Sequence, residues 1–183
     1  QILHTLRTGG DMDFEEITVV TPWLEMAHLM GIDVRAPQRA EPKVFKTHLA
    51  FGDIPRGGRY VHMVRDPADV LVSMYHFHQG WFFEPGAISL GQYAREVFLE
   101  GGRSGNYWDF IASWWPHRDD AEVLYLVYEH ALGAPRRTIE RIAAFAGIDA
   151  GEALLERTME YAGIDFMKAH GGQFDDHVLR RLL

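Results

Sequence analysis

Apolar residues recur at helical spacing through most of the chain and predict a series of amphipathic helices. The helix that follows Ser89 begins with a capping box, because Gln92 stands three residues later. Another predicted helix begins at Pro22 after the cap residue Thr21 and ends at Gly31. The apolar faces of the predicted helices are formed by Ile2, Leu3 and Leu6; Trp23, Ala27 and Met30; Val70, Leu71, Met74 and Phe77; Leu90, Tyr93, Ala94, Val97 and Phe98; Tyr107, Phe110, Ile111, Trp114 and Trp115; Ile139, Ile142, Ala143 and Ala146; and Leu154, Leu155 and Met159.

Short runs of β-favouring residues lie between these helices, at 43–46, 59–64 and 123–127. The last run is nearly all apolar, as expected of a strand buried on both faces of a parallel sheet. Strands separated by helices indicate an α/β fold with a mainly parallel sheet, and we expect one domain over residues 1–183. Because such a sheet usually has more strands, and nothing before Ile2 can cap the first helix, we expect a further strand upstream of Gln1.

Composition and charge narrow the classes of function. With 47% hydrophobic and 13% aromatic residues, the 183-residue chain has enough apolar mass for a sizeable core, which excludes disorder as its main state. The net charge of -8 opposes non-specific binding to a polyphosphate backbone, so we expect no nucleic-acid partner. No apolar run approaches the roughly 20 residues that cross a bilayer, so we expect no transmembrane segment and a cytoplasmic location. The chain has no cysteine, which excludes disulfides and thiolate chemistry within it.

Chemically distinctive side chains follow each predicted strand, where ligands bind in open parallel sheets. Lys46–Thr47–His48 follows the first strand, Arg65–Asp66–Pro67 the second and Tyr128–Glu129–His130 the third. In an extended segment the side chains of Lys46 and His48 point to the same side. There an ammonium group can neutralise charge on a leaving oxygen, and an imidazole can take a proton from an incoming hydroxyl. The alternative is structural, with Lys46 a solvated strand end and His48 a loop residue.

Arg65 stands between a strand end and a helix start, a position that favours an anion. The free N–H groups of the helix start attract negative charge, and a guanidinium binds phosphate oxygens in bidentate fashion. Ser73, about two helical turns further on, has a hydroxyl that can complete a phosphate site. The structural alternative is an ion pair between Arg65 and Asp66 or Asp69.

Two patterns argue against other kinds of site. His76 and His78 are poorly spaced for a metal-binding pair on a helix, and we predict no metal site. The glycine pairs are not followed by the lysine and hydroxyl residue of a Walker loop, so the sequence shows no complete nucleoside-triphosphate site.

Three blocks of the chain, in this order, resemble the cytosolic-type sulfotransferases. They are PKVFKTHL at 42–49, YVHMVRDPADVLVSMYHF at 60–77 and LYLVYE at 124–129, with the predicted Trp114–Trp115 helix between the last two. The resemblance runs from about Gln1 to Lys168. It implies a P-loop-like three-layer sandwich with a mainly parallel central sheet flanked by helices. It also implies transfer of a sulfuryl group from 3′-phosphoadenosine 5′-phosphosulfate (PAPS) to a hydroxyl or amine of a small-molecule acceptor.

The resemblance also implies roles for individual residues. Lys46 matches the lysine that contacts the reacting phosphosulfate, and His48 matches the base that deprotonates the acceptor. Arg65 and Ser73 match the pair that binds the 3′-phosphate, and Tyr128 matches the tyrosine beside the adenine. The residues that fall at or near the acceptor pocket are Phe77, Trp81 and Phe82. The implied reaction is an in-line displacement that needs no metal and releases 3′-phosphoadenosine 5′-phosphate (PAP).

The chain also departs from the pattern of this family. The family's 5′-phosphosulfate loop would lie directly before Gln1. We expect it in a longer form of the protein, and the alternative is a natural short form that binds the nucleotide poorly. Residues 161–168 match a nucleotide-contacting stretch only loosely, the later Arg-Lys-Gly motif and the dimer motif are not found, and 173–177 are expected to form a divergent tail helix. Two alternatives to the enzyme stay open: a non-catalytic module that retains the 3′-phosphate site, and a phosphotransferase of the same broad architecture.

Overall fold

The computed structural model describes residues 1–101 and 106–182. In chain order the described elements are α1 (Ile2–Thr8), α2 (Ile17–Val20), β1 (Tyr60–Val64), α3 (Pro67–His78), α4 (Leu90–Tyr93), a π-helix (Ala94–Leu99), α5 (Tyr107–Trp114), a 3-10 helix (Trp115–His117), β2 (Val123–Val127), α6 (Tyr128–Gly133), α7 (Pro135–Ala146), α8 (Glu152–Ala162), α9 (Ile164–Ala169), a 3-10 helix (Gly171–Gln173) and α10 (His177–Arg180). They form two compact units. The sheet unit is Leu49–Gly133, and the helical unit is Gln1–His48 together with the chain from Ala134 onward.

The sheet unit is built on β1 and β2, which pair in parallel over their full lengths. Tyr60 lies opposite Val123, and Val64 lies opposite Val127. Ile54, Trp114 and Val123 form the buried centre of the core under this sheet. The structure therefore confirms two of the expected strands, their parallel direction and the α/β class.

Helix α3 begins where the sequence predicts. The carboxylate of Asp66 accepts hydrogen bonds from the backbone N–H groups of Ala68 and Asp69, at 2.8 and 3.3 Å. Pro67 occupies the first turn, where its missing N–H leaves no hydrogen bond unmade. The expected apolar face of α3 does not enter the core, because no residue of this helix is buried and Phe77 is 41% exposed.

The helical unit packs α1 against α7 and α8. The buried side chains at this contact come from the predicted apolar faces and include Leu6, Ile139, Ile142, Ala143 and Leu155. Helix α7 ends at Gly147, which adopts the left-handed conformation that terminates helices without strain. None of the helices in the described ranges is long and apolar enough to cross a membrane.

The expected strand at 43–46 is not formed. Only Lys46 pairs, in an isolated parallel bridge with Trp23. The backbone N–H and C=O of Val44 instead bond to the side chain of Gln38, at 2.9 and 3.1 Å. A side chain thus satisfies the backbone groups that a strand ladder would use.

The helix expected from Pro22 to Gly31 is also absent, and this segment is a series of turns. The C=O of Pro22 accepts from the N–H of Lys46, and the N–H of Leu24 donates to the C=O of Lys46, both at 2.9 Å. The bridge commits these backbone groups to Lys46, which prevents a helix from starting at Pro22. The expected tail helix at 173–177 is likewise wrong in its bounds, because α10 begins only at His177.

Candidate functional site

Lys46 and Trp23 are joined through both backbone and side chain. The single-residue bridge sets their backbones side by side, and the ammonium Nζ of Lys46 lies 4.1 Å from the centre of the Trp23 ring. This is a cation-π contact, which favours the charged ammonium. Nζ also lies 3.6 Å from Oδ2 of Asp176, a buried carboxylate. Lys46 is therefore a held, charged side chain rather than a freely solvated strand end.

His48 contacts the same tryptophan. Its ring meets the Trp23 ring edge to face, with the ring centres 4.9 Å apart and the planes at 85°. Its backbone N–H donates to Oε1 of Glu25 at 2.6 Å. The structure thus brings the predicted pair Lys46 and His48 together on one indole.

The electrostatic surroundings of His48 favour its neutral form. Partial desolvation of the imidazole lowers the pKa of His48, although the residue keeps an exposed surface, and the nearby ammonium of Lys46 lowers it further. The carboxylates of Glu25 and Asp176 oppose these effects without overcoming them. An imidazole whose pKa is below its ordinary value of about 6.5 is mostly neutral at pH 7 and can accept a proton.

The segment beside Lys46 and His48 also holds polar atoms without partners. Oγ1 of Thr21, Nε1 of Trp23 and Oε2 of Glu25 are buried and form no hydrogen bond with the described part of the chain. Buried polar atoms normally have partners, so this group of atoms stands out. Trp23 is expected on a helix face and Glu25 carries no expected role, because the contacts of these residues with Lys46 and His48 join segments that are distant in sequence.

Arg65 and Tyr128, predicted from two different strand ends, are in contact in the sheet unit. The guanidinium of Arg65 lies 4.7 Å from the centre of the Tyr128 ring. The hydroxyl of Tyr107 donates to the backbone C=O of Arg65 at 2.6 Å, which fixes the end of β1. Parallel pairing of β1 with β2 explains the contact, because their carboxyl ends meet at one edge of the sheet.

The ion pair considered from the sequence is present as well. Nη2 of Arg65 lies 3.2 Å from Oδ2 of Asp69, one helical turn into α3. Nε of Arg65 is buried and makes no hydrogen bond to any residue in the described ranges. Ser73 lies further along α3 and is exposed. The guanidinium is thus oriented by Asp69 and Tyr128, and its Nε–H remains a free donor.

Glu129 connects the starts of α3 and α6. Its Oε1 accepts from the backbone N–H of Asp66 at 2.9 Å, and this hydrogen bond lowers the pKa of the Glu129 carboxyl. The contact ties together the two turns that follow β1 and β2. From the sequence, Glu129 is distinguished only by its position after the third predicted strand.

The three aromatic residues expected at the acceptor pocket form one cluster. The ring centres of Phe77 and Trp81 are 5.0 Å apart, and those of Trp81 and Phe82 are 6.1 Å apart. Phe82 is 67% exposed, so this cluster presents apolar surface to solvent. His78 packs against Phe82 at 4.9 Å, and its Nδ1 lies 2.7 Å from the hydroxyl of Tyr93.

Tyr93 lies at the base of this cluster and is fully buried, and burial raises its pKa to about 12. Its hydroxyl therefore stays protonated and shares a hydrogen bond with Nδ1 of His78. Burial also lowers the pKa of His78, which favours the neutral imidazole. In the described ranges, no group of three or more His, Asp or Glu side chains is placed to bind a metal ion.

Comparison with known proteins identifies the family of the chain. The family model for the sulfotransferase domain matches residues 1–178. The chain belongs to the sulfotransferase family. Sulfotransferase 1B1 from Canis lupus familiaris is 26% identical over 180 residues, which are 92% of this chain and 60% of the relative. Sulfotransferase 1B1 from Mus musculus is 29% identical over 162 residues, 83% of this chain and 54% of the relative.

Solved structures of sulfotransferases share the fold. A mouse sulfotransferase complexed with PAP has a TM-score of 0.64 and 27% identity over 74% of this chain and 49% of its own. Retinol dehydratase in a complex with retinol and PAP has a TM-score of 0.66 and 22% identity, over 93% of this chain and 55% of its own. The expected P-loop-like α/β fold is therefore confirmed. The chain spans about half to 60% of the length of these proteins.

Proposed function

We propose that this chain carries the donor-binding and reaction residues of a PAPS-dependent sulfotransferase that acts on a hydroxyl or amine of a small molecule. The observation that carries the proposal is the shared contact of Lys46 and His48 with Trp23, which lies inside the family match. One cation and one neutral imidazole on the same indole are the two groups that sulfuryl transfer to a hydroxyl needs.

In the proposed reaction His48 acts as the general base. The acceptor oxygen attacks the sulfur of the donor while the neutral imidazole takes the hydroxyl proton. The bond between sulfur and the phosphate oxygen breaks, and its electron pair stays on that oxygen. The ammonium of Lys46 neutralises the charge that develops there. Positioning and charge stabilisation supply the rate, and PAP is the second product.

We propose Arg65, Ser73 and Tyr128 as the residues that bind the 3′-phosphate and the adenine side of the nucleotide. The ion pair of Arg65 with Asp69 is largely exposed, and such pairs contribute little stability, so a phosphate can replace the carboxylate. The buried Nε–H of Arg65 is a further donor for a phosphate oxygen. Its contact with Tyr128 keeps the guanidinium plane in place.

For the acceptor we propose an apolar or aromatic hydroxyl compound in contact with Phe77, Trp81 and Phe82. These rings form a connected apolar surface, and an apolar ligand gains free energy by covering it. The related structures support this class, because retinol dehydratase is described in complexes with retinol and with androsterone. We further propose that the protein works in the cytoplasm, without a metal and without a nucleic-acid partner.

The alternative is a non-catalytic module that binds a 3′-phosphonucleotide. It is favoured by one observation: Arg65 and Tyr128 are in contact within the sheet unit, which contains neither Lys46 nor His48. The alternative requires binding of PAP without turnover. Measurements of turnover and PAP affinity in the unmodified chain and in His48→Ala separate it from the enzyme.

The test of the proposal is calorimetric titration with PAP and with adenosine 5′-monophosphate, which lacks the 3′-phosphate. We expect the chain to bind PAP at least about tenfold more tightly, because a guanidinium-phosphate contact contributes more than about 1.4 kcal/mol. Arg65→Ala should remove this preference and leave the affinity for the monophosphate almost unchanged.

Arg59→Ala is the matched control, because it removes the arginine that directly precedes β1, at the end of the strand opposite Arg65. The preference for PAP should survive in this variant. Equal affinity of the unmodified chain for the two nucleotides would contradict the proposed 3′-phosphate site.

A further inference from the structure

A buried carboxylate from the end of the chain lies against Lys46. Asp176 is 7% exposed, and its Oδ2 is 3.6 Å from Nζ of Lys46. It stands at the start of α10 with a backbone φ of 54°, the left-handed region that Asp, Asn and Gly tolerate best. The divergent tail helix expected at residues 173–177 implies no such contact.

The segment around Asp176 is anchored, which fixes the carboxylate beside the lysine. Glu16 is fully buried and accepts hydrogen bonds from the backbone N–H groups of Thr18, at 3.1 Å, and Val178, at 3.0 Å. Nε2 of Gln173 donates to the C=O groups of Met12 and Phe14 at 2.9 and 2.8 Å. These contacts hold residues 173–178 on the segment from Met12 to Thr18, so Asp176 does not depend on Lys46 for its position.

The contact between Asp176 and Lys46 is an ion pair and not a hydrogen bond. At 3.6 Å the two charges attract each other, but the distance exceeds that of a hydrogen bond. The N–H groups of the ammonium are therefore not committed to Asp176. An anion that accepts hydrogen bonds from these N–H groups is still repelled by the negative charge of the fixed carboxylate, because water screens buried charges only weakly.

We propose that Asp176 is an intramolecular counter-ion that competes with the anionic 5′ group of the nucleotide for Lys46. The anchored segment 173–178 thereby lowers the affinity of the site for its own donor and product. This inference rests on the proposed function, in which Lys46 contacts that 5′ group. A site built in this way releases an anionic product faster than Lys46 alone would allow.

The experiment is titration of PAP into the full chain and into Asp176→Asn and Asp176→Gly. Both substitutions remove the charge, and both residues adopt the left-handed conformation, so the start of α10 is retained. We expect each to tighten PAP binding about three- to tenfold, because one nearby negative charge is lost. Asp175→Asn is the matched control: it removes the same charge at the neighbouring position, where the carboxylate pairs with His177 and Arg180. Its affinity should stay within about twofold of the unmodified chain.

Lys46→Met separates failure of this inference from failure of the proposed function. If Lys46 contacts the nucleotide, this variant weakens PAP binding about tenfold or more. Weakening by Lys46→Met together with unchanged or weaker binding by both Asp176 variants would overturn the competition and leave the proposed function standing. No effect of Lys46→Met would show that Lys46 does not contact the nucleotide, and both the function and the inference would fall. Circular dichroism of each variant at pH 7 checks that the fold is kept.

Discussion

At the level of single residues, Trp23 connects Lys46 and His48, because its ring contacts both the ammonium of Lys46 and the imidazole of His48. Glu25 adds the hydrogen bond that fixes the backbone at His48. The lowered pKa of His48 then keeps its imidazole in the form that can accept a proton.

Substitution of His48 tests the division between binding and chemistry. His48→Ala should reduce sulfuryl transfer from PAPS to a phenolic acceptor by about 10²-fold or more, because general-base catalysis contributes at least that factor. PAP affinity should change less than about threefold, since the imidazole does not bind the nucleotide in the proposed reaction. Radiolabelled sulfuryl transfer measures the first quantity and calorimetry the second. Turnover retained in His48→Ala would exclude His48 as the base, and no turnover in the unmodified chain would favour the non-catalytic alternative.

At the element scale, the turn from β1 into α3 positions the proposed phosphate site. Asp66 caps α3, Glu129 binds the N–H of Asp66 from the start of α6, and Arg65 points from the end of β1. The N–H groups of Asp66, Ala68 and Asp69 already donate to carboxylates of the chain, so the proposed phosphate contact at this turn is made by the guanidinium of Arg65. The three contacts come from elements that the parallel pairing of β1 and β2 brings side by side.

Removal of the cap tests this element. Asp66→Ala should lower the free energy of unfolding by about 1 kcal/mol, the usual effect of losing a helix N-cap. Asp66→Asn keeps an oxygen that accepts from the same N–H groups and should lose less than half of that amount. Urea denaturation followed by circular dichroism gives both values. Equal losses in the two variants would mean that charge, and not the capping hydrogen bonds, stabilises the start of α3.

At the scale of the whole molecule, the buried histidine of β1 sets a limit on acid stability. His62 is 5% exposed and stacks on Trp114, with the ring centres 4.9 Å apart. Burial lowers its pKa to about 4. The imidazolium form is disfavoured in this aromatic core, which offers the ring no charged partner among the described residues.

This burial predicts how stability depends on pH. The unfolded chain protonates His62 at its ordinary pKa of about 6.5, whereas the folded chain does so only near pH 4. Above pH 6.5 both states are neutral, and as the pH falls from 6.5 towards 4 the unfolded state gains protons first and stability is lost. At pH 5 the free energy of unfolding is about 2 kcal/mol lower than at pH 7. Between pH 7 and pH 5, the free energy of unfolding of His62→Phe should fall by about 2 kcal/mol less than that of the unmodified chain. Urea unfolding at each pH measures both values. An equal loss in both proteins would mean that His62 does not carry the acid sensitivity.

Features that depend on neighbours a few residues apart are predictable from the sequence. Strands β1 and β2, the Asp66 cap of α3 and the capping box at Ser89 follow from local patterns, and the structure has them. The order of strands and helices also places Arg65 and Tyr128 at the same sheet edge, because parallel strands align their carboxyl ends. The family resemblance rests on the same local blocks, and the match over residues 1–178 confirms it.

The surroundings of Lys46 and His48 depend instead on contacts between distant segments. The bridge to Trp23 replaces both an expected strand and an expected helix, because backbone pairing between distant segments outweighs local propensity. Asp176 reaches Lys46 from the far end of the chain, and Glu16 holds it there through Val178. Apolar periodicity and capping motifs cannot encode contacts of this kind, since they record which residues face a core or end a helix but not which distant segment packs there.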